Sequence, residues 1–203
     1  MKVIAIGRNY IDHAKELNNP VPESPVIFMK PDTAILKDNK DFYYPEFSKD
    51  IHYECEVVVR ICNEGKHVSK KFAHKYYDAI GLGIDFTARD IQADHKAKGL
   101  PWELAKAFDH SAVISSLIPK EEFEDLNNID FSLLKNGNVV QNGNTKDMIF
   151  DIESLIVYIS KFITLRKGDL IYTGTPAGVG PVNIGDKLEG FIADKSMFTT
   201  QIK

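Results

Sequence analysis

The chain has 203 residues, 43% of them hydrophobic, enough for one full core and too few for two comfortable ones. Its 25 basic and 29 acidic residues leave a formal charge of −4 spread along the chain, which argues against nucleic acid or an anionic membrane as main partner, since both demand a concentrated basic surface. With no signal-peptide pattern and no run near the ~20 apolar residues of a membrane span, a cytoplasmic location is expected, with Cys55 and Cys62 as reduced thiols.

In chain order, Met1 to Gly7 reads as a strand, and Tyr10 to Leu17 as two helical turns stopped by Asn18, Asn19 and Pro20. Val26 to Met29 is a short strand, and Tyr53 to Ile61 the longest strand signal. Ser69 is placed to cap a helix over Phe72 to Tyr77. A strand then runs into Asp85, and Thr87 to Lys98 reads as a helix broken by Gly99 and Pro101. Asn136-Gly137 between Ile129–Leu134 and Val139–Gln141 is a strong hairpin signal. Asp151 caps a helix reaching Phe162, and Leu170–Thr173, Lys187–Ile192 and Met197–Ile202 read as strands. Strands outnumber helices without βαβ alternation, which predicts a mixed, mainly antiparallel β architecture with a few peripheral helices in a single domain, residues 1–203.

Tyr53-Glu54-Cys55-Glu56-Val57-Val58-Val59 is the most informative stretch. In a strand, Glu54 and Glu56 share one face while Cys55 and Val57 take the other. Two carboxylates side by side in apolar surroundings repel and are costly to desolvate, and a hard cation between them removes that cost. Oxygen-only ligation favours Mg²⁺, Mn²⁺ or Ca²⁺ over zinc. A solvated strand face is the rival reading. Asp85 ends the apolar Gly81-Leu82-Gly83-Ile84, where a lone carboxylate needs an explanation and the glycines permit close backbone approach. It is either a third ligand or a helix cap. His52 shares the Glu54 face but is not assigned as a ligand, and His67, His74, His95 and His110 show no metal spacing.

His13 and Glu16 fall at i and i+3 on one helical face, where a carboxylate can orient an imidazole as a base. A surface pair is the alternative. The short segment, followed by Pro20 and Pro22, has the composition of a lid. Lys106, in Leu104-Ala105-Lys106-Ala107-Phe108-Asp109, either faces a closed site or snorkels to solvent. Lys30, in Phe28-Met29-Lys30-Pro31, carries a weaker expectation of the same kind. The glycine-rich loop Thr173 to Gly180 can present backbone N–H groups to a carboxylate but lacks a P-loop ending.

Taken together, Gly7-Arg8-Asn9-Tyr10, Phe28-Met29-Lys30-Pro31, His52-Tyr53-Glu54-Cys55-Glu56, Asp85 through Gln92, Leu104 through Asp109, Gln141 through Thr145 and Thr173 through Gly180 resemble, in order and over nearly the whole chain, the fumarylacetoacetate hydrolase family in its compact acylpyruvase-like branch. The resemblance implies the family's β-roll fold and a homodimer. It implies metal ligands at Glu54, Glu56 and Asp85 for Mg²⁺ or Mn²⁺, a lid dyad of His13 and Glu16 on a helix near residues 10–17, and an active-site lysine at Lys106. It further implies substrate contacts from Thr175, Gln92 and Arg8. One segment departs from the pattern: His110 to Ser116 replaces the usual Pro/Gly turn, which touches a wall of the pocket.

The activity expected from this set is hydrolytic C–C cleavage of an acylpyruvate or related 2,4-dioxo acid. His13 would activate water and the cation would stabilise the departing enolate, with Lys106 offsetting negative charge. The rival within the same chemistry is enolate formation without hydrolysis, as in oxaloacetate decarboxylation or isomerisation of a hydroxy-diene dioate. A non-catalytic 2-oxo-acid binding protein is the rival from another class.

Overall fold

A computed structural model describes residues 1–16 and 20–203. Strands and α-helices follow in the order β1 (Val3–Gly7), α1 (Ile11–Glu16), β2 (Val26–Lys30), β3 (Ile35–Leu36), β4 (Ile51–Tyr53) and β5 (Cys55–Ile61). Next come β6 (Tyr77–Asp85), β7 (Thr87–Ala88), α2 (Arg89–Lys98), α3 (Glu103–Lys106), β8 (Ala112–Ile114) and β9 (Ile118–Pro119). The remainder holds β10 (Asp130–Lys135), β11 (Asn138–Asn144), α4 (Ile152–Phe162), β12 (Leu170–Tyr172), β13 (Gly180–Pro181), β14 (Lys187–Ile192) and β15 (Lys195–Gln201). Leu17 and the helix stop at Asn18 and Asn19 lie outside the described residues.

The largest sheet runs β2-β1-β12-β5-β6-β8-β3, with β9 also on β6, and is parallel only where β1 meets β12 and β3 meets β8. A four-stranded antiparallel sheet, β11-β10-β14-β15, and a small one, β13-β4-β7, complete the expected mainly antiparallel architecture. Period-2 alternation sorts the faces of the large sheet. Ile4, Ile6, Val57, Val59, Ile80, Leu82 and Ile84 join the main core, while Val3, Ala5, Val58 and Tyr172 join a smaller apolar cluster. At the hairpin, Asn136 and Gly137 both take positive φ, 53° and 80°, as a primed turn requires. Asp151 caps α4 by accepting from the Ser154 N–H at 2.6 Å.

Three local expectations are corrected. Tyr53 to Ile61 is not one strand: it divides at Glu54 into β4 and β5, which belong to different sheets. Thr87 and Ala88 are not helical, because their backbone pairs with β4 before α2 begins. The turn after Ser69 is a 3₁₀ segment, Lys70–Lys75, and the Ser69 side chain makes no capping bond. The atypical His110 to Ser116 segment still turns and enters a strand, with His110 at φ 63° in place of a glycine and β8 following it.

Gly81 and Gly83 provide the close approach anticipated from their position before Asp85. A Cβ on Gly83 would sit 2.3 Å from the Val113 carbonyl oxygen and 2.8 Å from the Tyr172 ring. Because the first obstacle is backbone of the neighbouring strand, relaxation is costly. Gly83→Ala is expected to destabilise by roughly 1–3 kcal/mol, read as a lower urea midpoint at unchanged slope. An unaltered midpoint would mean that β6 and β8 separate freely.

Candidate active site

Strand register explains how three carboxylates meet. Cys55 pairs with Ile84 and Glu56 with Gly83, so Glu54 stands across from Asp85, whose N–H donates to the Glu54 carbonyl at 2.8 Å. One carboxylate oxygen from each of Glu54, Glu56 and Asp85 lies within 4.8 Å of the others. Asp85 is 0% exposed and Glu56 1%. Three acids so placed repel and have lost their water, which the surrounding chain must offset.

Three basic side chains do so. Lys106, at the end of α3, donates to Glu54 Oε2 at 2.8 Å, to Asp85 Oδ2 at 2.7 Å and to the Thr87 hydroxyl at 2.5 Å. Burial would lower its pKa, but Asp85 and Glu54 outweigh that and raise it. Lys30, the last residue of β2, is 1% exposed and places Nζ 2.7 Å from Asp85 Oδ1. It also donates to the Lys106 and Ser111 carbonyls and to the Ser111 hydroxyl. Burial pulls the Lys30 pKa down against the opposing pull of Asp85. Arg89 donates to Glu54 Oε1 and to Gln92 Oε1, each at 2.6 Å. Burial alone would raise Glu54; Lys106 and Arg89 together hold it well below the usual carboxylate range.

Glu56 is the exception. Burial, then Asp85 and Glu54, push it well above the ordinary value, and its recorded donor is the Gly174 N–H at 2.7 Å. Asp85 Oδ1 makes no hydrogen bond, since its close approach to Lys30 lacks the geometry of one. A carboxylate without a cation and a buried oxygen without a hydrogen bond, beside a third acid, form a set that fits a hard divalent ion. Among the described residues, no other group of three His, Cys, Asp or Glu side chains converges in this way.

The same narrow cleft is lined by Arg8, His13, Gln92, Lys96, Trp102, Lys106 and Thr175 together with Glu54 and Glu56. His13 is buried on α1, with Nδ1 3.3 Å from Glu16 Oε2. Loss of water lowers its pKa against the upward pulls of Glu54 and Glu16, leaving a neutral imidazole near pH 7. Asp12 points away, 3.5 Å from Lys15 on the surface. Thr175 donates to the Cys55 carbonyl and accepts from Gln141, both at 2.8 Å. The N–H groups of the Thr173–Gly180 loop serve the protein's own acids, Gly174 on Glu56 and Gly178 on Glu16 at 3.1 Å. Gly174 is needed there twice over, since its φ is 102° and a Cβ would meet that of Asn9 at 2.6 Å. His52 instead bonds Asp50 at 2.9 Å.

Sequence reasoning missed Arg89, Lys96 and Trp102. Arg89 had a signal, because it stands one turn before Gln92 on the same helical face. Lys30 lies deeper in the charge cluster than its weak expectation suggested.

The raised Glu56 pKa has a defined sign. Folding holds a proton that the unfolded chain releases near its ordinary value, so the stability contributed at low pH is lost as pH rises from that value toward the raised folded one. Glu56→Gln should therefore raise the melting temperature of metal-free protein at pH 7 and reduce or abolish any stabilisation by Mn²⁺. Calorimetry with and without the ion checks both; a lower metal-free melting temperature would refute the repulsion.

Comparison with known proteins bears on this site. Residues 2–203 match the family described as fumarylacetoacetate (FAA) hydrolase C-terminal. A Dictyostelium discoideum protein named mitochondrial oxaloacetate decarboxylase is 44% identical over 189 residues, 93% of this chain and 87% of the relative. The Escherichia coli oxaloacetate tautomerase YcgM is 43% identical over 188 residues, 92% of this chain and 86% of the relative. A Pseudomonas aeruginosa fumarylpyruvate hydrolase, solved in complex with Mn²⁺ and pyruvate, superposes with a TM-score of 0.94 at 33% identity, covering 100% of this chain and 89% of that one. The carboxylate cluster is thus embedded in a chain that, over almost its entire length, belongs to the fumarylacetoacetate hydrolase family.

Proposed function

We propose that the protein catalyses keto–enol tautomerisation of oxaloacetate with Mg²⁺ or Mn²⁺ held by Glu54, Glu56 and Asp85. The carrying observation is that a buried His13 lines the same cleft as Glu54 and Glu56, whose neighbour in the carboxylate cluster is Asp85. The names of relatives more than 40% identical support enol chemistry on oxaloacetate over the acylpyruvate hydrolysis expected from sequence.

When bound, the ion supplies Lewis acidity toward a 2-oxo group. The chain's own residues do the rest. Enol-to-keto conversion moves one proton from the C2 hydroxyl to C3, with no net gain or loss. His13 accepts that proton and returns it, and Glu16 steadies the imidazolium formed in between. Lys106 and Arg89 keep Glu54 ionised and fixed in place. Arg8, Gln92 and Thr175 are the polar side chains available to orient the substrate.

Hydrolysis of an acylpyruvate is a second reading, favoured by the 3.3 Å His13–Glu16 contact and by the fumarylpyruvate hydrolase neighbour. Decarboxylation of oxaloacetate needs the electron sink but no base. Assays of enol-oxaloacetate decay, pyruvate release from oxaloacetate and acetylpyruvate cleavage, at one Mn²⁺ concentration, separate the three. Tautomerisation is expected to dominate, and His13→Ala to slow it about 10²–10⁴-fold. Cleavage faster than tautomerisation would overturn the assignment. Because desolvation lowers the His13 pKa, the acid limb of kcat should lie below the ~6.5 of free imidazole. A limb above that value would mean that the charges of Glu54 and Glu16 outweigh desolvation at His13.

A further inference from the structure

We infer that Arg8 and Lys96, set against the indole of Trp102, form a receptor for the second carboxylate of a dicarboxylic 2-oxo acid; the inference rests on the oxaloacetate reading. Helix α2 supplies the frame. Arg89, Gln92 and Lys96 fall at i, i+3 and i+7, one face of the helix, and all three line the cleft. The first two are bonded to each other and Arg89 to Glu54, so that face is turned toward the carboxylate cluster. Gly99, in the left-handed conformation at φ 66°, ends the helix and lets the chain return with Trp102. Arg8 follows β1 with φ 61° and lines the same cleft.

The Arg8 guanidinium carbon lies 5.9 Å from the Trp102 ring centroid and Lys96 Nζ 5.4 Å from the same ring. An indole face attracts one cation modestly, and it does not offset the repulsion of two. Among the described residues neither Arg8 nor Lys96 forms an ion pair with an acid, whereas Lys30, Lys106 and Arg89 are all engaged by Asp85 or Glu54. The strain of the arrangement is visible in Lys96, pushed down to about 8 by loss of water and then by Arg8 and Arg89. An anion between the two side chains reverses that penalty. A 2-oxo acid with a single carboxylate has none to spare once its oxo-acid end is placed at the acidic cluster. A dicarboxylate has one.

Malate and lactate test this directly, because malate is lactate with a carboxylate added at the methyl group and neither is consumed by enol chemistry. Titration calorimetry of the Mn²⁺-loaded protein should show malate binding more tightly than lactate. Lys96→Met is expected to cut that preference about 10-fold while leaving lactate unchanged, and Lys96→Arg should restore it. Lys96 stands at an exposed position, so its variants test binding without loss of the fold. An unchanged malate preference in Lys96→Met, with enol-oxaloacetate turnover intact in the wild type, overturns the receptor alone. A wild-type protein that binds the two acids equally, or neither, overturns the receptor and the dicarboxylate reading together.

Discussion

Three carboxylates withdrawn from water onto one face of one sheet impose the constraint around which the rest of this molecule is arranged. Glu54, Glu56 and Asp85 arrive by the pairing of β5 with β6, and Lys30, Arg89 and Lys106 come to them from β2, α2 and α3. The pairs made by Arg89 and Lys106 therefore also tie α2 and α3 to the central sheet. Such contacts bring little net stability when whole, yet breaking one leaves an unpaired buried charge at a cost of about 3–5 kcal/mol. The same geometry explains why Gly83 carries no side chain: a bulkier β6 would not let β8 close beneath the cluster.

Asn9 performs the corresponding task for His13. Its side chain donates to the carbonyls of Thr173 and Phe150 and accepts from the Phe150 N–H, fixing the root of α1 between two distant segments. Glu16 then reaches the Gly178 N–H from the other end of that helix. His13 is thus held at both ends of a six-residue helix too short to be stable alone.

What could be read from sequence was what local periodicity encodes. Alternation placed Glu56 opposite Val57 and Val59, and i, i+3 spacing joined His13 to Glu16, because both patterns are fixed by backbone geometry within a few residues. The chain break at Glu54 was not legible, since it depends on β4 leaving for another sheet. Lys30 was underrated for a similar reason: its acceptors, the carbonyls of Lys106 and Ser111, lie more than seventy residues away. The choice between hydrolysis and tautomerisation was hidden differently. Both use the same acids and the same imidazole, so residue identity does not separate them.

The charge count around the acids has a consequence for how the protein comes into being. Zinc fingers stay unfolded until the ion arrives, because their ligands have no other reason to gather. Here Lys30, Arg89 and Lys106 already pair with Glu54 and Asp85 and leave Glu56 alone without a cation, so most of the cluster's charge is balanced by the chain itself. On the proposed reading, a divalent ion then enters a site whose shape these ion pairs already hold. Oxygen donors of this kind discriminate weakly between Mg²⁺ and Mn²⁺, so the occupant follows cellular supply.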